Sequence, residues 1–276
     1  MTEPIVLTMD TNLNDEAIRF LKTLTKQGWK YRLIGTDAKW VSFLHRAARY
    51  LEEVKRIAAA DPDRLCVVAD CRDVICVRTP LSFNQAFNEF GKDIVVSGEI
   101  FCGGTPEPKP NVNCVDLTEY WNANGFEGDN IPIRRFVNAG LISGKAAALV
   151  KMYEWMVKTG VDESMTDDQV LMGKFINAHP TEVQFDIEAE MLHTCTFGAS
   201  CGYMSYFQKD DSPTIAELLG RGAFFLHIPG AIMGQGNKIV YDMVSLLIDE
   251  GYTNQNMLDT YNQPEWPWKK YQFNKH

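Results

Sequence analysis

Several features are missing from this sequence of 276 residues, and each absence excludes a class of protein. It has no block of lysine and arginine and its net charge is −9, so a protein that binds a polyanion through overall charge is disfavoured. No apolar run approaches about 18 residues, the length that spans a bilayer. The N-terminus lacks the basic and apolar regions of a secretory leader. These absences predict a cytoplasmic protein with neither nucleic acid nor a membrane as its partner.

The seven cysteines lack the pattern of a structural framework. No CxxC pair is present, which argues against a zinc ribbon, and an odd number argues against a complete set of disulfides. Cys71 lies between two aspartates, where it could be a metal thiolate. A small, half-buried filler is the interpretation that its size favours.

Three widespread catalytic signatures are also absent. No G-x-G-x-x-G follows the first predicted strand, and the segment from Gly140 to Ala146 has the wrong spacing for a P-loop and ends in Ala instead of Ser or Thr. No G-x-S-x-G elbow occurs. Hydride transfer, NTPase chemistry and serine hydrolysis therefore lose their usual support.

The most informative stretch present is LCVVADCRDVICVR at 65–78. An apolar, β-branched run ends at Asp70, and Asp73 follows three residues later, which predicts a buried strand with two acids at its end. Ligands of open α/β sheets bind at this end of the strands, and two carboxylates can hold Mg²⁺ or Mn²⁺ together with substrate phosphates. The alternative is structural: Asp73 caps the next segment and Asp70 pairs with Arg72.

Strand and helix patterns alternate through the first half of the chain. Strands are predicted at 5–9, 31–35 and 66–69, with helices at 15–27 and 39–60 between them. This order predicts an α/β protein with a mainly parallel central sheet that helices cover on both faces. The further predicted elements are strands at 94–98, 136–144, 182–187 and 223–226 and helices at 81–90, 146–160, from 166 and at 212–219.

Polar side chains mark the ends of two later elements. Thr166 with Gln169 three residues on forms a predicted capping box, and Asp167 and Asp168 suit the positive end of the helix dipole without any catalytic role. His227 follows an apolar strand. A lone histidine is usually structural, yet a cation held by two aspartates would accept a neutral imidazole as a third ligand.

These motifs together resemble a known family. The sequence VVADCRDVI at 67–75 resembles the metal motif of the glycosyltransferase domain of procollagen lysyl hydroxylases and of related collagen-type galactosyl- and glucosyltransferases. VSGEIFC at 96–102, RFVNAG at 135–140, TDDQ at 166–169, and His227 with a glycine-rich stretch behind it follow in the family's order. The resemblance extends from residue 5 to about residue 240.

The resemblance implies a GT-A-type, Rossmann-like nucleotide-binding fold. It implies one catalytic domain over residues 1–252, with a donor-binding half at about 1–100 and an acceptor- and metal-completing half at about 101–252. Nothing in the family corresponds to the C-terminal aromatic tail at 253–276. The implied reaction is transfer of a hexose from a nucleotide sugar, UDP-glucose or UDP-galactose, to an acceptor hydroxyl on a protein or glycan, such as hydroxylysine or its galactoside. The implied cofactor is Mn²⁺, with Mg²⁺ as the alternative.

The resemblance also assigns roles to individual residues. Asp70, Asp73 and His227 would hold the metal, and Asp167 and Asp168 would be the catalytic residues, one of them a general base. The implied donor-binding residues are Thr8, Met9, Thr11, Trp40, Arg72, Glu99, Asn138, Ala139, Gly140, Gly230 and Lys238.

Three positions depart from the family's pattern. Arg72 replaces a tyrosine suited to stacking on uracil, Gly103 and Gly104 replace a Trp-Pro pair after Cys102, and the spacing from His227 to Lys238 is longer. A non-catalytic module that keeps the fold and binds a nucleotide or a partner is therefore the alternative function. A glycosyltransferase that acts on a glycan or a modified nucleobase is a further one.

Overall fold

The computed structural model describes residues 2–99, 115–132, 134–194 and 222–229. Strands and helices alternate up to residue 70, as the sequence predicts for this part of the chain. The strands are β1 Ile5–Met9, β2 Lys30–Ile34, β3 Leu65–Asp70, β4 Val74–Cys76, β5 Ile94–Glu99, β6 Phe136–Lys145, β7 Val183–Asp186, β8 Leu192–Thr194 and β9 Phe225–His227.

The helices of the described residues begin at identifiable caps or turns. Asn14 accepts from Ala17 N at the start of the first helix, and Ser42 accepts from His45 N at the start of the second. The second helix therefore starts later than the predicted residue 39. The helices are α1 Asp15–Lys26, α2 Phe43–Ala60, α3 Phe83–Glu89, α4 Thr118–Ala123, α5 Ala146–Asp162 and α6 Asp168–Ala178, with short 3-10 turns at Pro80–Ser82 and Gly128–Asn130.

The central sheet has six strands in the order β2-β1-β3-β6-β5-β7. Strand β1 is parallel to β2 and β3, and β5 is parallel to β7, but β6 runs antiparallel to both of its neighbours, β3 and β5. The sheet is thus mostly, not purely, parallel. The direction of a strand depends on how the preceding chain returns to the sheet. The apolar sequence of β6 therefore does not predict whether it runs parallel or antiparallel to its neighbours.

Helices cover both faces of this sheet, as predicted. Alternate residues of a strand point to opposite faces, so Leu7 joins a core cluster with α2, α4, α5 and α6, whereas Val6 joins a second cluster with α1 and α3. Phe20, Phe83 and Phe87 dominate this second cluster and are almost fully buried. Full burial of each such side chain contributes about 1.5–3 kcal/mol.

A second sheet of three short strands, in the order β4-β9-β8, was not expected from the sequence. Val74 of β4 pairs with His227 of β9 in antiparallel register. The sheet packs against the cluster of α1 and α3, where Trp29 makes an edge contact with Phe225 at 4.8 Å between ring centroids. This sheet carries His227 to the end of β3.

None of the helices in the described ranges is both long and apolar enough to cross a membrane.

Candidate active site

Three predicted metal ligands meet at the carboxyl end of β3. Asp70 is the last residue of β3, Asp73 lies in the turn before β4, and His227 ends β9. One ligand atom from each lies within 4.8 Å of the other two. Ile228 N donates to the carbonyl of Asp73 at 2.8 Å, so the second sheet fixes the backbone of the histidine against that of the aspartate. The geometry is suited to one cation shared by the three side chains.

The imidazole of His227 is the most deeply buried of the three. Only 2% of the residue is exposed, and Nε2 lies 3.3 Å from Asp73 Oδ1 and 3.9 Å from Asp70 Oδ2. Neither ring nitrogen makes a hydrogen bond of good geometry within the described residues. Burial works to lower the pKa of His227, but Asp73, Asp70 and Glu99 raise it above its usual value. A buried, unbonded nitrogen that faces two carboxylates fits a divalent cation, and this donor set suits Mn²⁺ or Mg²⁺.

Gly140 of β6 closes the site from the neighbouring strand. A Cβ atom at this position would lie 2.6 Å from Asp70 Oδ2 and 2.9 Å from His227 Nε2. The strand can therefore pass this close to the ligand atoms only because residue 140 has no side chain.

Cys71 does not act as a ligand in this arrangement. The residue is 4% exposed, and burial raises the pKa of its thiol to about 12. Its sulfur is not among the ligand atoms that converge at the site, and the residue packs in the core cluster of α1 and α3. Cys71 is the buried filler that its size favours.

A buried carboxyl group lies beside the metal ligands. Glu99 ends β5 and accepts a hydrogen bond from Asn138 Nδ2, and Asn138 Oδ1 in turn accepts from Gly140 N at 2.9 Å. Burial raises the pKa of Glu99 to about 7, while Asn138 and His227 act to lower it. Two residues that the resemblance assigns to the donor, Glu99 and Asn138, are thus joined to Gly140 in one hydrogen-bonded chain.

Asp167 and Asp168 have different environments at the start of α6. Asp167 is the N-cap, and its carboxylate accepts from Gln169 N at 3.0 Å and Val170 N at 3.1 Å. The predicted cap at Thr166 is wrong, because the Thr166 carbonyl accepts from Leu44 N. Asp168 is 7% exposed, and burial raises its pKa to about 6 against the lowering effect of Arg46.

Arg46 of α2 connects this acid to the metal site. Its Nη1 donates to Asp70 Oδ1, and its Nε and Nη2 reach Asp168 Oδ2 at 2.9 Å and 2.7 Å. Sequence analysis missed this residue. A signal was present, since Arg46 shares a helical stripe with Tyr50, Glu53 and Ile57, all of which are buried.

The comparisons with known proteins give structural neighbours only. No protein-family model and no curated protein matches the sequence. One similar solved structure is a glycosyltransferase involved in the glycosylation of the major capsid of PBCV-1, with 9% identity, a TM-score of 0.48, and coverage of 88% of this chain and 98% of that one. Another is A197 from STIV, with 12% identity, a TM-score of 0.34, and coverage of 54% of this chain and 68% of that one.

Three of the implied donor-binding residues, Thr8, Met9 and Thr11, lie at the end of β1 and in the turn after it, and Trp40 lies between β2 and α2. Thr8 is fully buried and donates its hydroxyl to the Ala69 carbonyl at 2.8 Å, so it joins β1 to β3 and presents no group to a ligand. Met9 is also buried, and Thr11 is half-buried in the following turn. Trp40 is 48% exposed and makes an edge contact with Phe43 at 5.1 Å. Its exposed face leaves it available to a planar ring.

Two of the implied donor-binding residues, Gly230 and Lys238, lie outside the described residues. So do the two glycines after Cys102 and the C-terminal tail.

Arg72 is engaged in a bidentate ion pair. Its Nε and Nη2 donate to the two carboxylate oxygens of Asp10 at 2.8 Å and 2.9 Å, and Nη2 also donates to the Asn12 carbonyl. The Asp10 side chain is 2% exposed, while that of Arg72 is 40% exposed. Arg72 therefore ties the turn after β1 to the turn between the two metal aspartates, and it does not pair with Asp70.

Replacing Arg72 with alanine is expected to lower the free energy of unfolding by about 2 kcal/mol, because it leaves a buried carboxylate without its charged donor. Urea denaturation followed by circular dichroism measures the change. Lys55→Ala is the matched control, since it removes a cation from an exposed pair with Glu154 and should cost less than about 0.5 kcal/mol. Equal losses in the two variants would contradict this account.

Proposed function

We propose that this chain is a metal-dependent glycosyltransferase that moves a hexose from a nucleotide sugar to an acceptor hydroxyl. The observation that carries the proposal is the convergence of Asp70, Asp73 and His227 at the carboxyl end of the central strand. The imidazole of His227 is buried, and its Nε2 faces the carboxylates of both Asp73 and Asp70, an arrangement that suits a shared divalent cation. The family resemblance of the motifs around these residues supplies the reaction class.

A divalent cation bound in this site would supply positive charge to offset the negative charge of a nucleoside diphosphate leaving group. Asp70, Asp73 and His227 would hold that cation. The absence of a side chain at Gly140 lets β6 pass close to Asp70 and His227, and Asn138 fixes the adjacent backbone through its bond to Gly140 N. The resemblance assigns Asn138 and Gly140 to the donor sugar.

Asp168 is the better candidate of the two acids for accepting the proton of the acceptor hydroxyl. Its pKa of about 6 leaves it ionised at neutral pH, close to the value at which a general base works best. Arg46 binds Oδ2, and no hydrogen bond among the described residues uses Oδ1. Asp167 already caps α6 with its carboxylate, so a direct role would require it to leave two backbone amides.

The finer parts of the proposal come from the resemblance. UDP-glucose or UDP-galactose is the proposed donor, with Mn²⁺ or Mg²⁺ as the cofactor and a hydroxyl of a protein or glycan as the acceptor. Trp40, whose ring is exposed, would stack on the base, and Arg72, held by Asp10, stands where the family has an aromatic residue.

A donor panel tests the proposal. The chain is incubated with UDP-glucose, UDP-galactose, other UDP sugars and GDP sugars, with Mn²⁺ or with EDTA, and the released nucleoside diphosphate is measured. Release from at least one donor that requires the cation is the expected result. Calorimetric titration of UDP accompanies it. UDP binding without any hydrolysis would support a non-catalytic module, and no metal-dependent binding of any nucleotide would overturn the enzyme.

A further inference from the structure

Arg46 is the cation nearest to the metal ligands among the described residues, and its side chain is only 11% exposed. It donates to Asp70 through one nitrogen and to Asp168 through two others. The planar guanidinium is the one side chain whose fixed fork can serve two carboxylates at once. Its position therefore defines the distance between the two acids.

The geometry at Asp70 separates two tasks between its two oxygens. Oδ1 accepts from Arg46, while Oδ2 lies 3.9 Å from His227 Nε2 on the side of the metal site. A carboxylate with one oxygen held in this way cannot rotate freely, so the other oxygen stays directed at the site. Groups that hold the ligands of a metal set its affinity almost as strongly as the ligands do.

The burial of Arg46 makes this contact durable. The guanidinium is charged at any ordinary pH, and it forms ion pairs with both Asp70 and Asp168. Phe43 packs against the guanidinium, with 4.9 Å from Cζ to the ring centroid. Asp168 is itself buried and holds the opposite side of the fork. Removal of either partner leaves a buried charge unpaired.

We propose that Arg46 is a positioning residue that directs Asp70 Oδ2 at the cation and couples Asp168, which is not a ligand, to cation affinity. The inference rests on the proposed function, since it concerns the cation of that site. Simple electrostatics predicts the opposite change in cation affinity when Arg46 is replaced, because removal of a positive charge near a cation site should tighten cation binding. The two accounts can therefore be separated by measurement.

The test is a titration with Mn²⁺ alone, in which electron paramagnetic resonance measures the free ion. Arg46→Met is expected to raise the Kd of Mn²⁺ by about 10- to 100-fold. Arg46→Lys should fall between this variant and the wild type, because an ammonium keeps the charge without the fork. Arg49→Met is the matched control, one turn along the same helix with its pairs to Asp37 and Glu52, and should leave the Kd within about twofold.

A double-mutant cycle with Asp168→Asn measures the coupling between Asp168 and Arg46 in Mn²⁺ affinity. A residue with a merely structural role would show no such coupling. Asp168→Asn alone should weaken Mn²⁺ binding by about 10-fold, and this effect should vanish when Arg46 is already methionine. Circular dichroism confirms the fold of each variant, and Arg46→Lys serves if Arg46→Met does not fold.

The outcomes distinguish the two proposals. Unchanged or tighter Mn²⁺ binding in the Arg46 variants, or an effect of Asp168→Asn that persists without Arg46, overturns this inference and leaves the metal site intact. If Asp73→Asn binds Mn²⁺ as tightly as the wild type does, the proposed metal site is overturned, and this inference falls with it.

Discussion

The Gly140→Ala variant is expected to lose cation binding, with a rise of about 100-fold in the Kd of Mn²⁺. The added Cβ would meet the imidazole of His227 and lie 2.6 Å from Asp70 Oδ2, so both ligands must move apart. The clash involves side-chain atoms and no backbone, and β6 should keep its hydrogen bonds to β3 and β5. Isothermal titration with Mn²⁺ measures the loss, and the far-ultraviolet circular dichroism spectrum should be unchanged.

Ser143→Ala is the matched control in the same strand. The Ser143 hydroxyl is buried and has no hydrogen-bond partner within the described residues, so its removal should leave Mn²⁺ binding and the melting temperature close to wild type. A Gly140→Ala variant that binds Mn²⁺ as the control does would place any bound cation outside the Asp70, Asp73 and His227 site.

Local sequence patterns predicted the elements on which the site stands. The apolar run before Asp70 became β3, and the helical patterns became α1, α2 and α5 within a few residues. Such patterns are strong because each helix or strand buries one or both of its faces. Apolar residues then recur along the sequence with the period of that helix or strand. The strand-end pattern left His227 open between a structural role and a third ligand, and the family resemblance assigned it to the metal. Its ligand atom does lie within 4.8 Å of those of Asp70 and Asp73, while the roles of all three in the reaction stay a prediction.

The second sheet and the cap of α6 depend on contacts between distant parts of the chain, which local sequence patterns do not reveal. The three strands of the second sheet have three residues each, too few for a periodic signal, and they exist through their pairing with one another. The cap of α6 shows the same limit. Thr166 and Asp167 are both suitable caps, and the choice fell on Asp167 because Leu44 N holds the Thr166 carbonyl while Gln169 Oε1 accepts from Ala139 N.

Asp73→Asn is expected to lower kcat/KM for donor hydrolysis by about 1,000-fold, which corresponds to about 4 kcal/mol of transition-state stabilisation. The substitution keeps the shape of the side chain but removes one of the two carboxylates that face His227 Nε2. Without metal, the melting temperature of Asp73→Asn should stay within about 2 °C of wild type. The negative charges of Asp70 and Glu99 still act on His227 after the Asp73 carboxylate is removed.

The melting temperature of this variant with and without Mn²⁺ separates catalysis from folding. A ligand that binds only the folded state raises its stability by RT ln(1 + L/Kd), where L is the free ligand concentration, so Mn²⁺ should stabilise the wild type and leave Asp73→Asn unchanged. Asp93→Asn, which alters an exposed pair with Lys145, should behave as the wild type in both assays. If Asp73→Asn instead melts far below the wild type without metal, the Asp70 and Asp73 pair has a structural role, since the carboxylate is then needed for the fold before any cation or donor binds.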